Sequence, residues 1–225
     1  MATVKPAAAG AAAFRRVPLP PQPRRITRFG AIRASPPSAG GGDELPAALL
    51  PNARRRRDGC GFSLGVDLGE ARTGLAVGMG ITLPRPLTVL KLRGQRLETM
   101  LLDIAQQQEA DELIVGLPVS GDGSETPQSN KVRSVVGRLA VQAADRGLRV
   151  YLQDEHGTSI DALEFMISRG IKRSARDVQS DAYSAMMILE RYFSSSGQGA
   201  NIVLPKQQEL QGKLLARSKQ DAEIY

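Results

Sequence analysis

A chain of 225 residues, 41% of them hydrophobic, is long enough for one ordinary domain with a real core and some additional sequence. Its single cysteine, Cys60, excludes an intrachain disulfide and any cysteine-based metal site within the chain. The net charge of +7 is uneven: residues 1–58 hold 11 of the 30 Lys and Arg but 3 of the 23 Asp and Glu. Residues 59–225 are therefore close to neutral, and overall charge alone gives no argument for a nucleic-acid partner.

Residues 1–42 contain Lys5, Arg15, Arg16, Arg24, Arg25, Arg28 and Arg33, no Asp or Glu, many Ala and Pro, and no apolar stretch able to span a bilayer. This composition predicts an organelle transit peptide; residues 7–14 are too short and weakly apolar for a secretory core. A chloroplast is the first address and a mitochondrion the second, with Ile32-Arg33-Ala34 before Ser35 as a processing point. The basic run 54–57 reads as a solvated linker. Leader and linker are thus placed at 1–58, a folded body at 59–195 and a polar tail at 196–225.

In chain order, 63–66 reads as a buried strand, 69–74 as a tight reversal and 75–77 as a strand returning. A third strand is expected at 87–92 and a helix at 95–108, with Leu97, Leu101, Ile104 and Ala105 on one face. The apolar run 113–117 makes a fourth strand. A loop follows at 118–127, with Gly121 and Gly123 around Asp122, and then a helix carrying Val132, Val135, Val136, Leu139 and Ala143 at helical spacing. A fifth strand, 149–152, ends in Asp154-Glu155. Helices are expected at 159–168 and 177–193, the latter turning Ala182, Ala185, Met186, Leu189 and Tyr192 inward. In the tail, Leu210, Leu214 and Leu215 suit either a short amphipathic helix or no fixed structure. There is no internal repeat, and the order of elements predicts an α/β fold, a mixed five-stranded sheet flanked by helices.

Asp67 stands beside an apolar run, where a lone carboxylate must shift its pKa, pair or hold a cation. Glu155 terminates strand five and Asp181 opens the last core helix. Functional groups gather at the carboxyl ends of parallel strands. Three such acids could bind Mg²⁺, which accepts few protein carboxylates and keeps waters for a phosphate. Singly, each acid has a plainer role: Asp181 as a first-turn acid favoured by the helix dipole, Glu155 as solvated strand-end charge.

The motifs Gly65-Val-Asp67-Leu-Gly69-x-x-Arg72-x-Gly74, Ile114-Val-Gly116-Leu-Pro118 with Asp122-Gly123-Ser124-Glu125, Asp154-Glu155, and Ser180-Asp181-Ala-x-Ser184-Ala185 resemble, in order and spacing, the YqgF/RuvX family. The match covers about 61–194. It implies a ribonuclease H-like fold and a Mg²⁺-dependent (or Mn²⁺-dependent) nuclease. It further implies a role at the 5′ end of pre-16S rRNA, or, by an older label, Holliday junction resolution. Carried over by position, Asp67, Glu155 and Asp181 are the catalytic, metal-binding carboxylates, and the loop from Gly116 and Pro118 through Asp122 lies beside substrate. Two positions depart from the family: His156-Gly157 stand where Arg-Leu is usual, and Glu70-Ala71 where Thr-Lys is often found. His156 could still donate a proton to a leaving group.

Phosphate contacts are expected from Arg72, from Lys131, Arg133 and Arg138 on the helix after the loop, and from Lys172, Arg173 and Arg176 before Asp181. Trp is absent and aromatics are few, which disfavours a base-stacking platform and favours folded or duplex nucleic acid, pre-16S rRNA or branched DNA, read by shape and backbone. No membrane partner is expected and a homodimer is left open. An actin-like phosphotransferase is disfavoured because it needs two such lobes. A binding module that has lost turnover is disfavoured because all three acids remain.

Overall fold

The computed structural model describes residues 45–55 and 61–223; the expected leader, Arg56, Arg57 and Cys60 lie outside the described residues. The body runs β1 Phe62–Leu68, β2 Thr73–Gly78, β3 Arg85–Leu90, α1 Gly94–Gln107, β4 Ala110–Leu117, α2 Pro127–Asp145, β5 Arg149–Asp154, α3 Thr158–Ser168, α4 Arg173–Ser194, β6 Asn201–Ile202 and α5 Gln208–Glu223. The sheet order is β3-β2-β1-β4-β5-β6. β1, β4 and β5 are parallel, whereas the β1–β2, β2–β3 and β5–β6 pairs are antiparallel.

The mixed α/β sheet is as expected, but it has six strands, not five. The extra strand is two residues long, too short for any alternation to show, and it pairs Ile202 with Tyr151 and Asn201 with Leu152. α4 starts at Arg173, four residues earlier than the apolar spacing suggests. Its first turn is polar, yet Arg, Ser and Ala tolerate helix well. Asp181 therefore sits roughly two turns into α4 and not in its first turn.

Strand alternation divides the core into two layers. Leu64, Val66 and Leu68 of β1, Leu113, Val115 and Leu117 of β4, and Val150 and Leu152 of β5 pack with Leu101, Val136 and Leu139 of α1 and α2. The opposite face carries Ala76, Ile114 and Tyr151 against Ala185, Ile188 and Tyr192 of α4 and Ala162 of α3. α2 enters on a capping box: Ser129 N–H donates to Thr126 Oγ1 and Thr126 N–H to Ser129 Oγ.

Residues at both ends that the sequence assigns to linker and tail pack onto this body. Leu49 is buried with Leu214 of α5 and Ala144 of α2. Arg54 and Arg55, the start of the expected solvated run, donate instead to main-chain oxygens, Arg54 to Gly197 O and Arg55 to Leu50 O and Ala48 O. Beneath them lies a buried polar cluster around the fully buried Glu112. Its Oε1 accepts from Ser63 Oγ at 2.7 Å and Tyr192 OH at 2.6 Å, and its Oε2 from Asn52 N–H at 3.0 Å. Arg149 stands 3.6 Å from Glu112 and donates to Leu50 O and Asn52 Oδ1, while Tyr151 OH donates to Leu49 O. Among the described residues no helix is long and apolar enough to cross a membrane.

Candidate active site

With Val66 and Leu68 committed to the α1–α2 layer, the pleat turns Asp67 toward α4. The same alternation on β4 and β5 brings Gly116 and Gln153 to that face, where they are register partners. Because β1, β4 and β5 are parallel, their carboxyl ends lie along one edge. Glu155 is one residue beyond β5, its N–H donating to Leu117 O at 3.2 Å.

Two glycines let α4 and Glu155 close over this edge. Gly74 pairs with Asp67 in register, and a Cβ there would lie 1.9 Å from Asp181 O. A Cβ on Gly116 would lie 1.9 Å from Glu155 Oε2 and 2.6 Å from Ile188 Cδ1. The two positions should respond differently to alanine. Gly74→Ala meets helix backbone and should destabilise by about 1–3 kcal/mol. Gly116→Ala meets only side-chain ends, so it should displace the Glu155 carboxylate and lower cleavage with a smaller change in Tm. Thermal melts and initial rates on both variants check this.

Burial, and next the neighbouring Asp181, push the Asp67 carboxyl up to about 7. Burial, then Asp67 and Asp154, push Glu155 up to about 8. Among the described residues, the buried side-chain oxygens without a hydrogen bond are Gln153 Oε1, Glu155 Oε2 and Asp181 Oδ2, all at this edge. Asp181 Oδ2 does have a counter-ion, lying 2.8 Å from Arg72 Nε in an ion pair without hydrogen-bond alignment; Arg72 Nη2 donates to Asp181 Oδ1 at 3.3 Å. No three His, Cys, Asp or Glu side chains among the described residues close around a metal position by themselves. Asp67 and Glu155 are nonetheless half-buried neighbouring acids with no basic side chain paired to them among the described residues, and Glu155 has an orphaned oxygen. That donor set suits Mg²⁺ or Mn²⁺, since Mg²⁺ is typically taken by one or two carboxylates and left partly hydrated.

The sign of the pH dependence follows. Both folded-state pKa values lie above those of an unfolded chain, so these acids favour the metal-free fold most below about pH 4. That contribution is lost as pH rises through about 7 and about 8. A cation must displace the same protons, so its affinity should climb across that window and binding should release protons. Calorimetry in two buffers of different ionisation enthalpy measures both.

The expected substrate residues divide. Arg72 reaches the acids but is engaged by Asp181 and by Asp177 O. Lys131 pairs with Glu70 at 2.9 Å, Arg133 with Glu125, and Arg138 with the buried Glu98. Lys172 and Arg173 are exposed at the start of α4, while Arg176 donates to Ile171 O. Gly116 makes room for Glu155, and Pro118 O accepts from Ser129 Oγ. Asp122 Oδ1 accepts from Ser124 N–H and Oγ, bonds that hold its carboxyl below the usual range. His156 lies under the loop: Nδ1 is 3.3 Å from Val119 O, and its carbonyl accepts from Arg191. Neither Gln153 at the site nor the Arg72–Asp181 pair, whose members are 109 residues apart, has a local signal in the sequence.

A protein of Cronobacter sakazakii named "Putative pre-16S rRNA nuclease" is 32% identical over 139 residues, covering 61% of this chain and 99% of its own length. One of the same name from Rickettsia typhi is 33% identical over 129 residues, covering 56% of this chain and 81% of its own. Among solved structures, Thermus thermophilus RuvC in complex with a Holliday junction substrate aligns at a TM-score of 0.44 and 19% identity, covering 63% of this chain and 99% of that one. Residues 61–195, from β1 to the end of α4, match the family described as "RuvX: Holliday junction resolvase", and the chain belongs to that family.

Proposed function

We propose that this chain is a metal-dependent nuclease that hydrolyses phosphodiester bonds in structured nucleic acid, its substrate being the 5′ end of pre-16S rRNA in an organelle. The observation that carries the reading is the half-buried pair Asp67 and Glu155 at the carboxyl ends of parallel strands, neither paired with a basic side chain among the described residues, with Asp181 beside them. Asp67 and Glu155 would hold Mg²⁺ or Mn²⁺, with Asp181 as third ligand. When bound, such an ion lowers the pKa of an attached water and neutralises charge developing at phosphorus.

The chain's own groups do the rest. Arg72, placed over the acids by the β1–β2 turn, shields Asp181 at rest and is the cation nearest an incoming phosphate. His156 anchors the 118–126 loop through Val119, and with Nδ1 donating there, the neutral ring offers Nε2 only as an acceptor. The organelle is supported by the acid-free, Arg-rich residues 1–42, whose composition favours a chloroplast over a mitochondrion. The names of the relatives support rRNA as substrate, and the family description supports a DNA junction as the second reading.

The test is to incubate the full chain and Asp67→Asn with Mg²⁺ and two labelled substrates, an organellar pre-16S rRNA 5′ fragment and a four-way DNA junction. Cleavage of the RNA alone, absent in the variant, supports the proposal. Cleavage of the junction alone replaces it with the resolvase reading. Failure to cut either, by folded protein that binds Mg²⁺, makes it a binding module.

A further inference from the structure

A cleft of about 390 Å³ opens on the α1–α2 side of the sheet, the face opposite Asp67, between the turn after β1, the β3–α1 connection and the first turns of α2. Its walls are aliphatic: Leu68, Leu92, Leu97, Val132 and Val135. Three charged side chains, Glu70, Arg93 and Lys131, are exposed among its lining residues. α1 begins there at Gly94 with no side chain capping its first-turn N–H groups and no acid in that turn. The acids, Arg72 and the 118–126 loop give this space no role.

We propose that the cleft receives one unpaired nucleotide of the substrate, its base against the aliphatic walls and its phosphate between Arg93, Lys131 and the start of α1. The inference rests on the nuclease reading above. Three observations select this occupant. Leu68, Gly69 and Glu70 carry the cleft to the carboxyl end of β1, on the face opposite Asp67, so a backbone that rounds this edge of the sheet can reach both the acids and the cleft. The apolar walls suit a flat uncharged ring, and a base still paired in a helix could not enter, whereas an extruded one is routinely held between apolar side chains. The charge at the cleft is suited to a backbone phosphate, with two cations against one anion and uncapped helix N–H groups beside them.

Glu70 gives the site its selectivity. At rest it holds Lys131 at 2.9 Å, so an incoming phosphate must displace a carboxylate, and weakly held nucleic acid is refused. The position where the family often carries Thr-Lys thus becomes a latch. The walls contain no aromatic ring, so this is a receptacle for a single base in folded RNA and not a stacking platform for a continuous single strand.

The experiment uses the full chain in EDTA, so that cation binding and cleavage do not enter. Fluorescence anisotropy compares an RNA hairpin carrying a one-nucleotide bulge with the same stem fully paired. Wild type should prefer the bulged RNA by about tenfold, as expected for one base gaining apolar contact. Val135→Trp, which narrows the cleft and introduces a Trp into a chain that has none, should lose that preference, and its emission should change only with the bulged RNA. Glu70→Gln, an exposed change compatible with folding, should tighten the bulged RNA several-fold and leave the paired stem unchanged. Equal binding of the two RNAs, unaffected by either variant, overturns the cleft assignment and leaves the nuclease reading standing. Absence of binding to both, by protein with a native circular dichroism spectrum, overturns both.

Discussion

Replacing Asp67 with Asn should lower cleavage by roughly 10³-fold or more and abolish Mg²⁺ binding, while the metal-free protein keeps or slightly raises its Tm. The two effects have opposite signs because the carboxylate is costly to the fold and necessary to the site. Asp67 is half-buried on the α4 face, is repelled by Asp181, and has a pKa pushed up to about 7. Asparagine keeps the shape, removes the charge and relieves the repulsion. It cannot neutralise a divalent ion, so on the proposed reading the several kcal/mol of charge stabilisation such an ion would supply are lost with it. Rates, calorimetry and melts on one preparation separate these effects. A variant that still cuts within tenfold of wild type would remove Asp67 from the chemistry.

A second large effect, on stability, is expected at the opposite end of the sheet. Glu112→Ala should cost about 3–5 kcal/mol, on the order of 10 °C in Tm, because it strands Arg149 in the interior and leaves the Ser63, Asn52 and Tyr192 donors without their acceptor. Starting the chain at residue 59 removes the other half of the cluster, namely Asn52 Oδ1, Leu50 O and the N–H groups of Asn52 and Ala53. That truncation should approach the loss seen in Glu112→Ala, whereas a chain starting at residue 43 should melt like the full length. Thermal unfolding by circular dichroism of the three proteins is the measurement. A 59–225 chain melting within a couple of degrees of full length would show that residues 45–55 are ornamental.

Most of the body was legible because its signals are local. The hairpin around Asp67, β4, β5 and the helices α1 and α2 follow from apolar periodicity and from glycines at the turn, and the acids stand out as charges beside apolar runs. What was not legible depends on distance. β6 is too short to have a period. α4's polar first turns, seen alone, look like a basic loop, so Asp181 was expected in the first turn. Glu112 satisfies the same criterion as Asp67, an acid beside an apolar run, but its hydrogen-bond partners come from positions 49 to 80 residues away. Arg72 was expected to face phosphate, and nothing near it in the chain announces its pairing with Asp181.

The segment bearing Leu49, Asn52 and Ala53 is made before any of the elements that hold it. Ala53 N–H waits for Tyr192 OH, 139 residues later, and Asn52 Oδ1 for Arg149, 97 residues later. Closing spans of that length carries an entropic cost that neighbouring contacts repay only once the sheet exists. A chain emerging from its N-terminus first therefore leaves this segment unfastened until the end of α4 is out, and residues 49–53 are among the last to be locked. Synthesis thus leaves Asn52 and Ala53 without these partners for most of its course, and the second half of the chain closes the molecule around the residues made first.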